Sequence, residues 1–189
     1  MIKYAITGNI ASGKTEMEKI LQKNGFTVFD TDTMTHDILL DKPDVPEAFK
    51  EYDIFEYGKL SREKLSNLVF NNSNLRKKLE DIVHPLIIEE LETVFKVYAD
   101  EKYIFVSVPL LFEAGWEKMF DKIVFISCRK EIELKRLMRR NGLSKEAALK
   151  RINSQKMQND KILKSDVIIE NNSSICDFHK KISEFINTL

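Results

Sequence analysis

Gly8, Gly13, Lys14 and Thr15 stand at the spacing Gly-x-x-x-x-Gly-Lys-Thr, inside TGNIASGKT and directly behind the short apolar run MIKYAI. Two glycines, a cation and a hydroxyl so arranged suit one chemistry, the holding of closely spaced negative charge. Glycine lets the backbone approach an anion, successive N–H groups converge on it, and the positive end of a following helix adds attraction. Residues Gly8, Asn9, Ile10, Ala11, Ser12, Gly13, Lys14, Thr15 and Glu16 are therefore expected to cradle the phosphates of ATP. Lys14 would reach the β and γ phosphates, and the Thr15 hydroxyl would hold Mg²⁺. The competing account is a glycine-rich turn with a solvated lysine. At average composition the pattern arises by chance in about one such chain in a hundred or fewer, and a strand before it with a helix after it favours the cradle.

A phosphate loop serves kinases, switch GTPases and motor ATPases alike. The Asn-Lys-x-Asp tetrapeptide expected of a guanine reader does not occur. Phosphoryl transfer to an alcohol needs a carboxylate that can orient the hydroxyl and take its proton, with cations beside the transferring group. Asp30 and Asp32 offer that carboxylate at the carboxyl end of an expected strand, where ligands of open α/β sheets gather. Capping the next helix is the alternative use for either one. Arg136 and Arg140 share a helix face, with Arg139 beside them and the turn NGLS directly after. Next to a cradle they read as a lid closing over ATP, and without one as a solvated cationic face. His36, His84 and His179 are too scattered to suggest a metal site. Phe49, Tyr52, Phe55 and Tyr57 form either the core of a small helical insert or the lining of a pocket for an adenine or an alkyl amide arm.

These residues need a frame. MIKYAI reads as a strand, EMEKILQKNG as a helix with Met17, Ile20 and Leu21 on one stripe and Gly25 closing it, and FTVFD as a second strand. YIFVSVPLLF and KIVFIS are continuous apolar runs, as strands covered on both faces require. SDVIIEN supplies a fifth strand, and ICDFHKKISEFINTL a closing helix with Phe178, Ile182 and Phe185 inward. A helix is expected over 131–140 and another from 145, with Ser144 as its N-cap. From 41 to 100 long helical stripes predict an insertion, with a boundary at VHP where Pro85 would start a second helix. Alternation of strands and helices predicts an α/β fold with a parallel sheet.

Composition agrees with a single soluble domain. The chain has 189 residues, 30 basic and 30 acidic side chains, and two cysteines. Balanced charge gives no overall field to recruit nucleic acid or an anionic membrane. No apolar stretch approaches the roughly 20 residues that span a bilayer, and the start lacks a secretory signal, so a cytosolic protein is expected. Cys128 and Cys176 fit reduced thiols better than a disulfide or a zinc site.

Taken together the chain resembles the dephospho-coenzyme A kinase family nearly end to end. The likeness is carried by TGNIASGKT, FDTDTMTHDIL, LSREKLSNLVFNN, LEDIVHPLI, VPLLFEAG, RLMRRNGLSKEAALKRINSQ and SDVIIENN, in that order. It implies a P-loop kinase three-layer fold with a central parallel five-stranded sheet. Residues 1–40, 101–135 and 158–189 would form the nucleotide-binding core, 41–100 a helical CoA-binding insertion, and 136–157 a lid. It also implies ATP-dependent phosphorylation of the ribose 3′-hydroxyl of dephospho-CoA, with Asp32 as base and Lys14 and Arg136 assisting. Arg136, Arg140 and Asn171 would contact ATP, Asn171 near the adenine. Arg62, His84, Pro85, Leu111 and Glu113 would join Asp32 in holding the substrate. A monomer or weak homo-oligomer with Mg²⁺ is expected. The chain departs from the family pattern at Asn9 and Ala11, usually glycines, at Thr31 and Ser165, commonly alanines, and at Glu133, usually glutamine. Glu133 places a negative charge one turn from Arg136, which is expected to weaken that arginine's hold on phosphate. Another small-molecule kinase and a non-catalytic ATP-binding regulator are the rival readings.

Overall fold

The computed structural model describes residues 1–155 and 158–189. Positions 156 and 157, the last two of the expected lid, lie outside the described residues. The continuous apolar runs become the middle of a sheet. Strands β1 (Ile2–Gly8), β5 (Tyr103–Ser107) and β6 (Lys122–Ser127) are almost wholly buried, as strands covered on both faces must be. With β2 (Thr27–Asp30) and β7 (Val167–Glu170) they form a five-stranded sheet in the order β2-β5-β1-β6-β7. Every adjacent pair runs parallel. Placing β1 between β5 and β6 sends the chain to one side of β1 and then to the other, which opens a crevice at the carboxyl ends.

Residues divide into two compact units, Met1–Asp30 with Asp100–Leu189, and Thr31–Ala99. In the first, α1 (Lys14–Lys23) and α10 (Ile175–Ile186) pack on the sheet. Met17, Leu21, Phe178, Ile182 and Phe185 meet Tyr4, Ile6, Phe105 and Val124 in one core cluster. Gly25, at φ 83°, ends α1 in the left-handed conformation its sequence position suggested. A capping box of Ser174 and Asp177 starts α10. Helix α7 (Lys130–Asn141) and helix α8 (Lys145–Asn153) pack through Leu137, Ala148 and Ile152. The Ser144 hydroxyl accepts from the Ala147 amide at 3.2 Å and caps α8 as expected. Short α6 (Leu111–Ala114) follows β5, and α9 (Gln158–Ile162) precedes β7.

The second unit, Thr31–Ala99, holds α2 (Thr31–Asp41) and the long helix α5 (Ser73–Val97), which pack on each other. It also holds α3 (Asp44–Ala48), α4 (Arg62–Phe70) and a two-stranded hairpin of β3 (Phe55–Glu56) and β4 (Lys59–Leu60). Tyr57 and Gly58 turn the hairpin, both at positive φ, as a two-residue loop of matching twist requires. The expected helix boundary at Pro85 is corrected: α5 runs unbroken over Ser73–Val97 with Pro85 inside it. Pro85 and Asp81, whose carbonyl loses its helical donor, are both exposed, so water can satisfy that oxygen. Val83, Ile87, Leu91, Val94 and Phe95 bury the opposite side of the same helix and hold its two halves together. The four aromatics do not form one cluster. Phe49 is fully buried with its ring centroid 5.9 Å from that of Tyr52, whereas Tyr57 is fully exposed at the hairpin turn.

Candidate phosphate-binding site

The loop of residues 9–13 joins the end of β1 to the start of α1, in the strand–loop–helix context the motif needs. Gly13 takes φ 117°, and a Cβ there would lie 2.5 Å from Asn171 Nδ2. A Cβ on Gly8 would lie 2.6 Å from both the Ile126 carbonyl oxygen and Ser12 Oγ. Both glycines are thus required by packing, and Gly13 by its backbone conformation as well. Ala11 adopts φ 61° at one of the positions where glycine was expected, a conformation that strains an L-residue. Lys14 Nζ donates to the Gly8 carbonyl at 2.8 Å and reaches the Asn9 carbonyl at 3.4 Å. Thr15 is exposed in the first turn of α1, and Ser12 Oγ is buried with no hydrogen-bond partner among the described residues. Glu16 Oε1 lies 2.7 Å from His179 Nε2.

Side chains from far along the chain hold this loop in shape. Asn171, only 4% exposed, donates from Nδ2 to the Ser12 carbonyl at 2.7 Å and accepts from Arg136 Nη2 at 3.0 Å. Its amide therefore braces the loop and Arg136 together. The Ile10 amide donates to Gln155 Oε1 at 2.8 Å, and Ile10 and Ala11 pack against the α7–α8 cluster. Lys161, 2% exposed, donates to Asn9 Oδ1 at 3.1 Å and pairs with Glu113 Oε1 at 2.8 Å. Such partners offset the hydration that a buried ammonium gives up. Arg140, in contrast, is exposed and donates to Asn141 Oδ1 at 3.0 Å.

Glu133 does not engage Arg136 as its spacing suggested. Only 1% exposed, it bonds with the Asn9 side chain, and Lys161, Lys14 and Lys130 are its cationic surroundings. Burial pushes its carboxyl up to about 7, against the downward pull of Asn9 and those lysines. Burial also raises the Cys128 thiol, which donates to the Asn171 carbonyl at 3.3 Å. Both cysteines are free.

Of the other expected residues, Leu111 is fully buried and its side chain packs the core, while Glu113 directs its carboxylate at Lys161. Asp32, Arg62, His84 and Pro85 belong to the second unit. Asp32 is exposed in the first turn of α2, Arg62 is exposed at the start of α4, and His84 is half-buried on α5. Among the described residues no group of three or more His, Cys, Asp or Glu could hold a metal ion, and no helix is long and apolar enough to cross a membrane. Sequence reading missed Lys161, which carries no motif, and the bracing role of Gln155, visible only as part of RINSQ.

The loop fits a polyphosphate with its divalent cation. An ammonium rests on loop carbonyls, a helix N-terminus follows, and an exposed threonine hydroxyl stands at that terminus. Comparison with known proteins agrees. A family model described as dephospho-CoA kinase matches residues 2–177. The dephospho-CoA kinase of Fusobacterium nucleatum is 37% identical over 97% of this chain and 96% of its own length, and that of Listeria innocua 36% over 96% and 94%. Among solved structures, dephospho-CoA kinase from Campylobacter jejuni superposes with a TM-score of 0.77 at 32% identity, covering 98% of this chain and 95% of that one. A shikimate kinase from Acinetobacter baumannii, at 15% identity and a TM-score of 0.57, covering 100% and 94%, shares the fold.

Proposed function

The chain belongs to the dephospho-CoA kinase family, and from that membership we propose an in-line transfer of the γ-phosphoryl group of ATP to the ribose 3′-hydroxyl of dephospho-CoA. The family's reaction, phosphorylation of dephospho-CoA to CoA with a nucleotide donor, is the frame, and the residues of this chain fill it. Residues 8–15 bind the polyphosphate through backbone N–H groups. Lys14 leaves the Gly8 carbonyl for the β and γ phosphates, a short swing for a flexible stem. Thr15 would hold Mg²⁺, which would supply charge neutralisation for the polyphosphate. Arg136, oriented by Asn171, meets charge on the transferring group, and exposed Arg140 closes over it. Asp32 takes the proton of the attacking hydroxyl, and Arg62 and His84 hold the substrate's charged and amide groups. Catalysis then comes from positioning and electrostatics, without a covalent enzyme intermediate. The enzyme acts in the cytoplasm as a monomer or weak homo-oligomer, and its balanced charge favours no nucleic-acid partner.

The observation that carries this reading is the braced loop of residues 8–15, in a chain that matches the family model over 2–177. Its test is ADP release from Mg²⁺-ATP with and without dephospho-CoA, followed by mass analysis of the product and its digestion with a 3′-nucleotidase. The expected result is ADP release that depends on dephospho-CoA, with a product heavier by one phosphoryl group that the nucleotidase removes. A product that resists the nucleotidase would overturn the 3′ assignment.

A further inference from the structure

Behind the phosphate loop lies a buried polar cluster that the transfer reaction leaves unused. Glu133 bonds through one side with the Asn9 side chain, while its Oε1 is buried with no hydrogen-bond partner among the described residues. A half-satisfied carboxyl in such a place is costly, because desolvation disfavours its charged form. The charged and titratable groups around it come from several elements. Lys130 stands on its own helix, Cys128 and Arg129 at the end of β6 and the start of α7, Lys14 on the loop side, and Lys161 on α9 with Glu113 of α6 as its partner. A cavity of about 330 Å³ opens beside it, lined by Asn9, Arg129, Glu133, Gln155 and Gln158 among others.

Asn9 connects this cluster to the site. Its Oδ1 accepts from Lys161 while its side chain also bonds with Glu133, and its backbone carbonyl is one of the two oxygens near Lys14 Nζ. Lys161 pairs with Glu113, so one ammonium faces two carboxyls when both are ionised. Ionised Glu133 therefore draws also on Lys130 and on Lys14, the cation that the phosphates must recruit. We propose that Glu133 is a positioning residue of the phosphate loop, fixing it through the Asn9 side chain and competing with bound phosphate for Lys14. The inference rests on the nucleotide-cradle reading of the loop, and it needs no particular acceptor substrate.

The sign follows from charge. Ionised Glu133 opposes an incoming polyphosphate, so affinity falls as pH rises through about 7. Binding also favours the neutral carboxyl, so protons are taken up. Calorimetric titration of the full chain with Mg²⁺-ADP from pH 6 to 8.5, using the unaltered protein, Glu133→Gln, Asn9→Gly and the double variant, tests it. The nucleotide's own phosphate titration is common to all four and cancels in ratios. Expected is a ratio of dissociation constants, unaltered protein over Glu133→Gln, that climbs about three- to tenfold across this range. The two single substitutions should also be non-additive. Parallel pH profiles or strict additivity would overturn the proposal, since a merely structural Glu133 would shift thermal stability and leave the profiles parallel. A second readout uses titrations in buffers of different ionisation heat: the unaltered protein should take up more protons on binding than Glu133→Gln, and equal uptake would also overturn the proposal. A protein that shows the climbing ratio without phosphorylating dephospho-CoA would sink the reaction proposed above and leave this inference standing. Turnover with a flat ratio would do the reverse.

Discussion

The phosphate loop and the helical unit are built in opposite ways. Around the loop, Gln155, Asn171, Lys161 and Glu133 converge from distant parts of the sequence and tie nearly every turn of it. In the helical unit, Asp32 and Arg62 stand on exposed positions at the starts of α2 and α4. There the buried residues, Leu65, Val45 and Phe49 among them, hold the helices and not the side chains proposed to act on substrate. A triphosphate has one charge pattern, and a loop fixed in advance to match it stabilises developing charge without reorganising. A larger, jointed substrate is better met by accessible side chains on a frame whose stability lies elsewhere. Substitutions near the loop should therefore change folding and nucleotide binding together, whereas those in the helical unit should change turnover or substrate affinity alone.

The sharpest test is Asp32→Asn. Turnover should fall by about 10²–10⁴-fold as the base is lost, while calorimetry finds the ATP dissociation constant within about threefold and the melting temperature unchanged. Near-normal turnover would remove Asp32 from its role and weaken the contrast. Asn171→Ala should show the opposite pattern. It strips partners from the Ser12 carbonyl and Arg136, at a cost of about 2–4 kcal/mol. Melting should then drop by about 2–4 °C per kcal/mol, and Mg²⁺-ADP should bind about tenfold more weakly. Lost stability with unchanged nucleotide affinity would show that the bracing is not felt at the loop.

Glu133→Gln sharpens the comparison through pH. Folding raises this carboxyl from 4.5 to about 7. Its contribution is therefore fully present below pH 4.5 and is lost as pH rises through about 7, by roughly 3 kcal/mol in linkage terms. The neutral amide escapes that loss, so thermal melting should find the variant ahead of the unaltered protein at pH 8 and level with it or behind at pH 4.5. Equal melting differences at both values would contradict the buried, titrating carboxyl. The smallest effect belongs to Arg62→Ala. An exposed arginine that touches substrate should raise KM for dephospho-CoA about tenfold, with one charge-assisted hydrogen bond of about 1.5 kcal/mol lost, and leave melting and nucleotide affinity unmoved.

Local rules made much of this legible. TGNIASGKT announced the loop because its requirements are written in adjacent residues, and the buried strands β1, β5 and β6 declared themselves as unbroken apolar runs. The miss at Pro85 came from applying a helix-breaking rule without knowing which side of the helix the ring occupied. On the solvent side the lost hydrogen bond can be replaced by water. The hairpin went unseen since two-residue strands leave no periodicity, and only Tyr57 and Gly58 hint at it. Glu133 was read along its own helix, toward Arg136, when its partner Asn9 lies on another element. The bonds of Lys161 to Asn9 and of Asn171 to Ser12 join residues separated by 152 and 159 positions, and no motif records such proximity.

The sheet order has a consequence for assembly. β1 is central, yet Ile2 pairs with Tyr103 and Tyr4 with Lys122, so both neighbours of this strand arise roughly 100 residues after it. At about 5–20 residues per second of synthesis, β1 waits roughly 5–20 s with both edges open. Thr31–Ala99, a continuous stretch with its own local helix contacts, can fold within that interval, since short-range pairings form before long-range parallel ones. The strand that carries the phosphate loop is made ahead of both its partners and gains them only after the whole helical unit has been synthesised.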